Sequence, residues 1–174
     1  MSEIEFSRLV RVEPLPRDGL VETIEATPEE RVALAKLNGL PDIARLTARF
    51  RIAKWKRGVR VEGEVSARVT QTCVVSLEPF EVDVDEPVEA RFLPRDAKRP
   101  APESVGDPVL DPDEPDEIVD GGIDLGALAA EFLTLALDPY PRKPGSAFAP
   151  PVAPGDDGTP FARLKPTSAR DEPD

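Results

Sequence analysis

Between Ile43 and Val61 the chain carries seven bases and no acid: Arg45, Arg49, Arg51, Lys54, Lys56, Arg57 and Arg60. Trp55, the one tryptophan, sits among them. Clustered Arg and Lys supply affinity for phosphates, and an aromatic ring beside them offers a face on which an unpaired base can stack. These eight residues are candidate contacts to RNA. The competing reading is a solvated sheet face whose cations pair across strands with Glu62, Glu64, Glu81, Asp83 and Asp85. On residue types alone the balanced face is favoured. The RNA reading requires Arg49, Arg51, Lys56 and Arg57 to form one exposed patch without acidic neighbours.

Other reactive residue types are scarce. The chain has no His, so neither a Ser-His-Asp triad, nor a Cys-His pair, nor a His-based metal site can be built. Cys73 is the only cysteine. It has no His to activate it and no second thiol, which favours a buried small residue at a strand end over a nucleophile or ligand. Asp111 to Glu117 resembles a calcium loop in its acids. It has Asp116 where such a loop needs Gly, and Pro112 and Pro115 restrict the backbone, so a solvated acidic linker is favoured. No catalytic residue, metal or cofactor is assigned, and a non-enzymatic protein is expected.

Composition divides the chain. Residues 1–100 hold 18 acids and 17 bases, whereas residues 101–174 hold 16 acids and 5 bases, so nearly all of the net −12 lies in the second part. Much of that part is rich in Pro and Asp, the composition of segments that bury little apolar surface. The reading is one domain over residues 1–141, with a mobile acidic Pro-rich loop at 94–115 and a disordered tail at 142–174. No signal peptide and no membrane span is read, and a lone Cys suits a reducing compartment, so a cytoplasmic location is expected.

The elements that must carry these residues follow from periodicity. Ile4–Val12, with Phe6, Leu9, Val10 and Val12 as apolar contacts, and Leu20–Ala26 read as short strands. Thr27 to Asn38 reads as a helix: Thr27 and Glu30 have the spacing of a capping box, Pro28 suits the first turn, and Gly39 suits the left-handed position beyond the end. Ile43–Lys54 alternates Leu46, Ala48, Phe50 and Ile52 with Arg45, Thr47, Arg49 and Arg51, the period of a half-buried strand. Lys56-Arg57-Gly58 turns it into a second alternating run at 59–70, and a third follows at 80–92. Glu117–Val119 is a short strand, and Asp120-Gly121-Gly122 turns the chain. Asp124 caps a helix to Leu137 so apolar that it must be covered on several sides or face a partner.

Three pieces in order resemble the YceD family, the large ribosomal RNA subunit accumulation proteins. They are Cys73-Val-Val-Ser-Leu-Glu-Pro-Phe80, with Leu77 and Pro79; Gly122-Ile-Asp124-Leu125 leading to Glu131-Phe-Leu-Thr-Leu-Ala-Leu137 and then Pro139 and Pro141; and Pro160-Phe161-Ala-Arg-Leu164. Many members have Arg where Val75 stands and a second Cys where Ser76 stands, so no Cys-pair role transfers. The resemblance implies a factor supporting accumulation of large-subunit ribosomal RNA and assembly of that subunit, with ribosomal RNA, a precursor particle or a ribosomal protein as partner. It implies no catalytic residues. Within the 58–92 meander, Leu77 and Phe80 are expected to fix the connection. The tail motif docks either on the domain or on a partner, and both remain open, as does the oligomeric state. The fold expected is α+β: an antiparallel sheet of about five strands with two packed helices.

Overall fold

A computed structural model describes residues 5–95 and 115–148. The elements in order are β1 (Leu9–Arg11), β2 (Leu20–Glu25), α1 (Pro28–Leu37), β3 (Asp42–Trp55), β4 (Gly58–Thr72), β5 (Pro79–Pro94), β6 (Asp116–Ile118), β7 (Gly122–Asp124) and α2 (Leu125–Ala136). Five strands form one sheet in the order β2-β3-β4-β5-β6, and β1 and β7 form a separate two-stranded ribbon.

The three long strands obey the alternation of the sequence. Leu46, Ala48, Phe50 and Ile52 on β3 and Val59, Val61, Val65, Ala67 and Val69 on β4 are buried. An irregularity between Ile43 and Arg45 shifts the phase, which lets Ile43 also point inward. Both helices cover this inner face. Leu34 and Ala35 bring α1 onto β3, and Leu125, Leu128, Ala129 and Leu133 bring α2 onto β4 and β5, in one continuous core. The other sheet face is left to water.

Helix α1 starts as its residues dictate. Thr27 Oγ1 accepts from the Glu30 N–H at 3.3 Å and Glu30 Oε2 accepts from the Thr27 N–H at 2.8 Å. Gly39 takes a φ of +64° just past the end, where a side chain would be strained.

Four expectations are corrected. The first strand is paired only over Leu9–Arg11, against β7, and Leu9 is 78% exposed; the slip in alternation at Leu9-Val10 marks a segment too irregular to join the large sheet. The sheet is mostly antiparallel, because β6 runs parallel to β5 through Phe92↔Asp116 to Pro94↔Ile118. Leu77 lies at φ +59° and is 76% exposed, so it does not pack to fix the β4–β5 connection. The tail does not leave the domain at residue 142: the Lys143 ammonium bonds Glu78 at 2.8 Å and Ser146 reaches Cys73. Most of the acidic loop, and Pro160 to Leu164, lie outside the described residues.

Candidate nucleic-acid interface

Strand register sorts the basic residues into two groups. On the outer face Arg51 lies opposite Glu62, Arg49 opposite Glu64, and Arg45 opposite Arg68. Arg68 in turn lies opposite Asp83 and holds it with two hydrogen bonds of 2.8 and 2.7 Å. That pair keeps the Asp83 carboxyl below its usual range, first through the hydrogen bond and also through the charges of Arg68 and Arg45. Arg60 contacts both Glu62 and Glu89, and Arg91 bonds Glu89 at 2.9 Å. The patch of Arg49 and Arg51 without acidic neighbours does not form, since a glutamate faces each across β4.

The second group stands at the end of the β3–β4 hairpin. Trp55 pairs with Gly58, leaving Lys56 and Arg57 as the connection, and Lys56 takes a φ of +49°. The Lys56 ammonium sits 4.3 Å from the centre of the Trp55 ring, and the Arg91 guanidinium lies 5.6 Å from it. Cations so placed are held by the ring's negative face and present their charge outward beside an aromatic surface. Lys54, Lys56 and Arg57 line a cleft of about 270 Å³ at this end, in which Glu13 is the acid. The structure gathers Lys54, Lys56 and Arg57 at this cleft and sets Lys56 and Arg91 on the Trp55 ring, with Lys54 and Trp55 on opposite sides of β3, while Arg45, Arg49 and Arg51 lie farther along the strand. It adds Arg91, which sequence reasoning missed. Its position after the run of acids on β5 carried no local signal; only the pairing Arg60↔Arg91 brings it beside the tip.

The Cys73 turn is built differently. The buried Cys73 follows β4 directly, its sulfur 3.4 Å from the N–H groups of Val75 and Ser76 and 3.5 Å from the Ser146 hydroxyl. Its N–H donates to the Glu78 carbonyl, and its carbonyl accepts from the Leu77 N–H, both at 2.9 Å. The Ser76 hydroxyl and then the Ser76 N–H, helped by Ser146 and Lys143, bring the thiol down to about 6 against the opposing effect of burial. These donors satisfy a sulfur closed to solvent. Pro79 is exposed and Phe80 half-buried, so hydrogen bonds around Cys73 hold the turn.

Asp124 ties the other end together. Its carboxylate accepts from the Ser7 hydroxyl at 2.6 Å and from the N–H groups of Arg8, Gly126 and Ala127 at 2.7, 3.0 and 3.1 Å. Burial opposes the charge, but these bonds outweigh it and hold the carboxyl below its ordinary range. Arg8 reaches on to Glu30, with bonds of 2.7 and 2.9 Å, so one dipeptide links the caps of both helices. Gly126 permits the approach, since a Cβ there would stand 2.8 Å from the Phe6 carbonyl oxygen. Leu125, next to the cap, is fully buried.

A family model described as large ribosomal RNA subunit accumulation protein YceD matches residues 61–164. The chain belongs to the YceD family. No curated protein and no solved structure matches it. The YceD match contains the Cys73 turn, Arg91 and the Asp124 cap, and ends at Leu164, the last residue of the Pro160–Leu164 motif. It begins one residue after Arg60, so the basic set on β3 and at the hairpin tip precedes it. Among the described residues no helix is long and apolar enough to cross a membrane.

Proposed function

We propose that this protein is a non-enzymatic factor that supports accumulation of large-subunit ribosomal RNA, and that it meets precursor RNA through the β3–β4 hairpin tip. The observation that carries this reading is the set of cations at the hairpin end, with Lys56 and Arg91 on the Trp55 ring and Lys54, Lys56 and Arg57 along the neighbouring cleft. Cations next to a stacking surface suit an unpaired stretch of RNA, where phosphates give affinity and a base packs on the ring. A net charge of −12 opposes broad affinity for nucleic acid, so the contact is local. The tip precedes the matched family region, so this contact is read from the tip itself.

A second reading, an adapter for a basic ribosomal protein, is favoured by the exposed acids Glu81 and Asp85 along β5. One experiment separates the two. The intact protein is purified from cells with and without nuclease, as wild type and as the triple variant Lys54→Glu, Lys56→Glu, Arg57→Glu. Large-subunit precursor RNA that copurifies with wild type and is lost in the variant supports the RNA contact. A ribosomal protein retained after nuclease and by the variant favours the adapter. Absence of all ribosomal material counts against both.

A further inference from the structure

A second cleft, of about 630 Å³, opens between the β1–β7 ribbon, the ends of β5 and β6, and the first turns of α2. This is within the size of sites that enclose an apolar ligand group, roughly 300–1,000 Å³. Its floor is apolar, with Val10, Phe92, Ile123 and Leu128. Two further lining residues, Leu9 at 78% and Val119 at 62% exposure, rank among the most uncovered large apolar side chains of the described residues. Its rim is acidic: Asp116, Asp120 and Glu131 line it, against a single base, Arg11. An apolar floor within a ring of carboxylates suits a segment with two apolar side chains flanked by cations.

The chain contains such a segment. Phe161 and Leu164 are spaced by three, and Arg163 and Lys165 lie beside them. The internal stretch outside the described residues, 96–114, offers no match: its two bases, Lys98 and Arg99, have no large apolar side chain beside them, and Val105, Val109 and Leu110 lie among acids that would face like charge. The family match ends at Leu164, so the unit shared with the family extends through this segment. Its reach is sufficient. Ser146 is anchored at Cys73, and the Gln71 amide bond to the Asp138 carbonyl sets the end of α2 at the same end of the molecule. From Ala136 back to Leu128 the helix rises about 12 Å, at about 1.5 Å per residue. From Ser146 to Phe161 an extended chain covers about 50 Å, at about 3.3 Å per residue.

We infer that residues 160–165 of the chain's own tail occupy this cleft, with Phe161 and Leu164 on its floor and Arg163 and Lys165 against its acidic rim. The tail then closes the domain on itself, whatever the hairpin tip binds.

The test is made on the full chain carrying Ala127→Cys and Ala162→Cys, with the buried Cys73 left in place and the disulfide mapped by mass spectrometry. Under a mild thiol–disulfide buffer a 127–162 bond within one monomer is expected. Adding Phe161→Ala and Leu164→Ala should slow its formation at least tenfold. Adding Arg163→Glu and Lys165→Glu should slow it several-fold, with recovery on Glu131→Lys. A bond formed equally fast without Phe161 and Leu164 reflects tethering alone and overturns the inference, as does its failure to form. A bond found only between two chains overturns it too, and assigns the cleft to a second copy. Hydrogen exchange on the cysteine-unmodified chain gives an independent reading. Amides of residues 122–128 should exchange several-fold faster with Phe161→Ala and Leu164→Ala, and unchanged exchange overturns the inference.

Discussion

The outer sheet face and the tip of the β3–β4 hairpin carry the same residue types in opposite settings. On the face, strand register decides what each cation meets: Arg51 meets Glu62, Arg49 meets Glu64 and Arg68 meets Asp83. At the tip β3 and β4 end, and the acids beside it are Glu89, which bonds Arg91, and Glu13 in the cleft. Lys56 turns onto Trp55, and Arg91 reaches the same ring. A count of charges along the chain cannot separate these settings, because both lie within Arg45 to Arg60. What separates them is whether a neighbouring strand continues alongside. Exposed cross-strand ion pairs contribute little to stability, so the face is best understood as cations set opposite acids, and the tip as cations gathered on and beside an aromatic ring.

The contrast can be broken most directly by charge reversal at the tip. Lys54→Glu with Lys56→Glu and Arg57→Glu should lower affinity for large-subunit RNA fragments roughly a hundredfold, and lower the slope of log K against log salt by about 2, at about 0.7 per phosphate contact on single strands. The same measurement on Arg49→Gln with Arg51→Gln should stay within about twofold, as expected for cations already faced by acids. An equal loss in both variants would erase the distinction.

Asp124 supplies the stability counterpart. Asp124→Ala removes a cap and strands the Ser7 hydroxyl and the Arg8 N–H, so urea unfolding should show a loss of about 2–3 kcal/mol with RNA affinity unchanged. Its pH dependence has a defined sign. Asp124 and Glu30 both have carboxyls below their ordinary values of 3.8 and 4.5. Their contribution is therefore fully present above those values and is lost as pH falls through the lower folded ones. Asp124→Asn and Glu30→Gln should flatten that acid-side decline, measured as the unfolding midpoint against pH.

Trp55→Ala should sharpen the comparison from within the tip. Loss of one stacking surface costs about 1–3 kcal/mol of binding, or roughly tenfold in affinity, while the half-buried ring leaves the unfolding midpoint little changed. The smallest effect is expected at Arg68→Ala. Its pair with Asp83 is exposed, so both the unfolding midpoint and RNA affinity should remain at the wild-type level in physiological salt. A clear loss of RNA affinity there would return the face to the binding surface.

Period-two alternation and helix punctuation were written locally. The inward sides of β3, β4 and β5, the capping box at Thr27 and Glu30, Gly39 beyond α1 and Asp124 before α2 could all be read because each depends on residues within a few positions of one another. The types of the candidate RNA contacts were equally legible. Register between distant strands was not. The parallel pairing of β6 with β5, the β1–β7 ribbon, the Arg8 link between two caps and the placing of Arg91 beside Trp55 each join segments far apart in sequence. Leu77 shows the same limit in reverse: an apolar residue in a family-like motif, turned outward because hydrogen bonds around the Cys73 sulfur, and not packing, close that turn. Local chemistry thus determined which residues could act. Tertiary pairing decided which of them stand opposite an acid and which gather at an aromatic ring, because electrostatic balance depends on what lies across a few ångströms of space and not on what lies next along the chain.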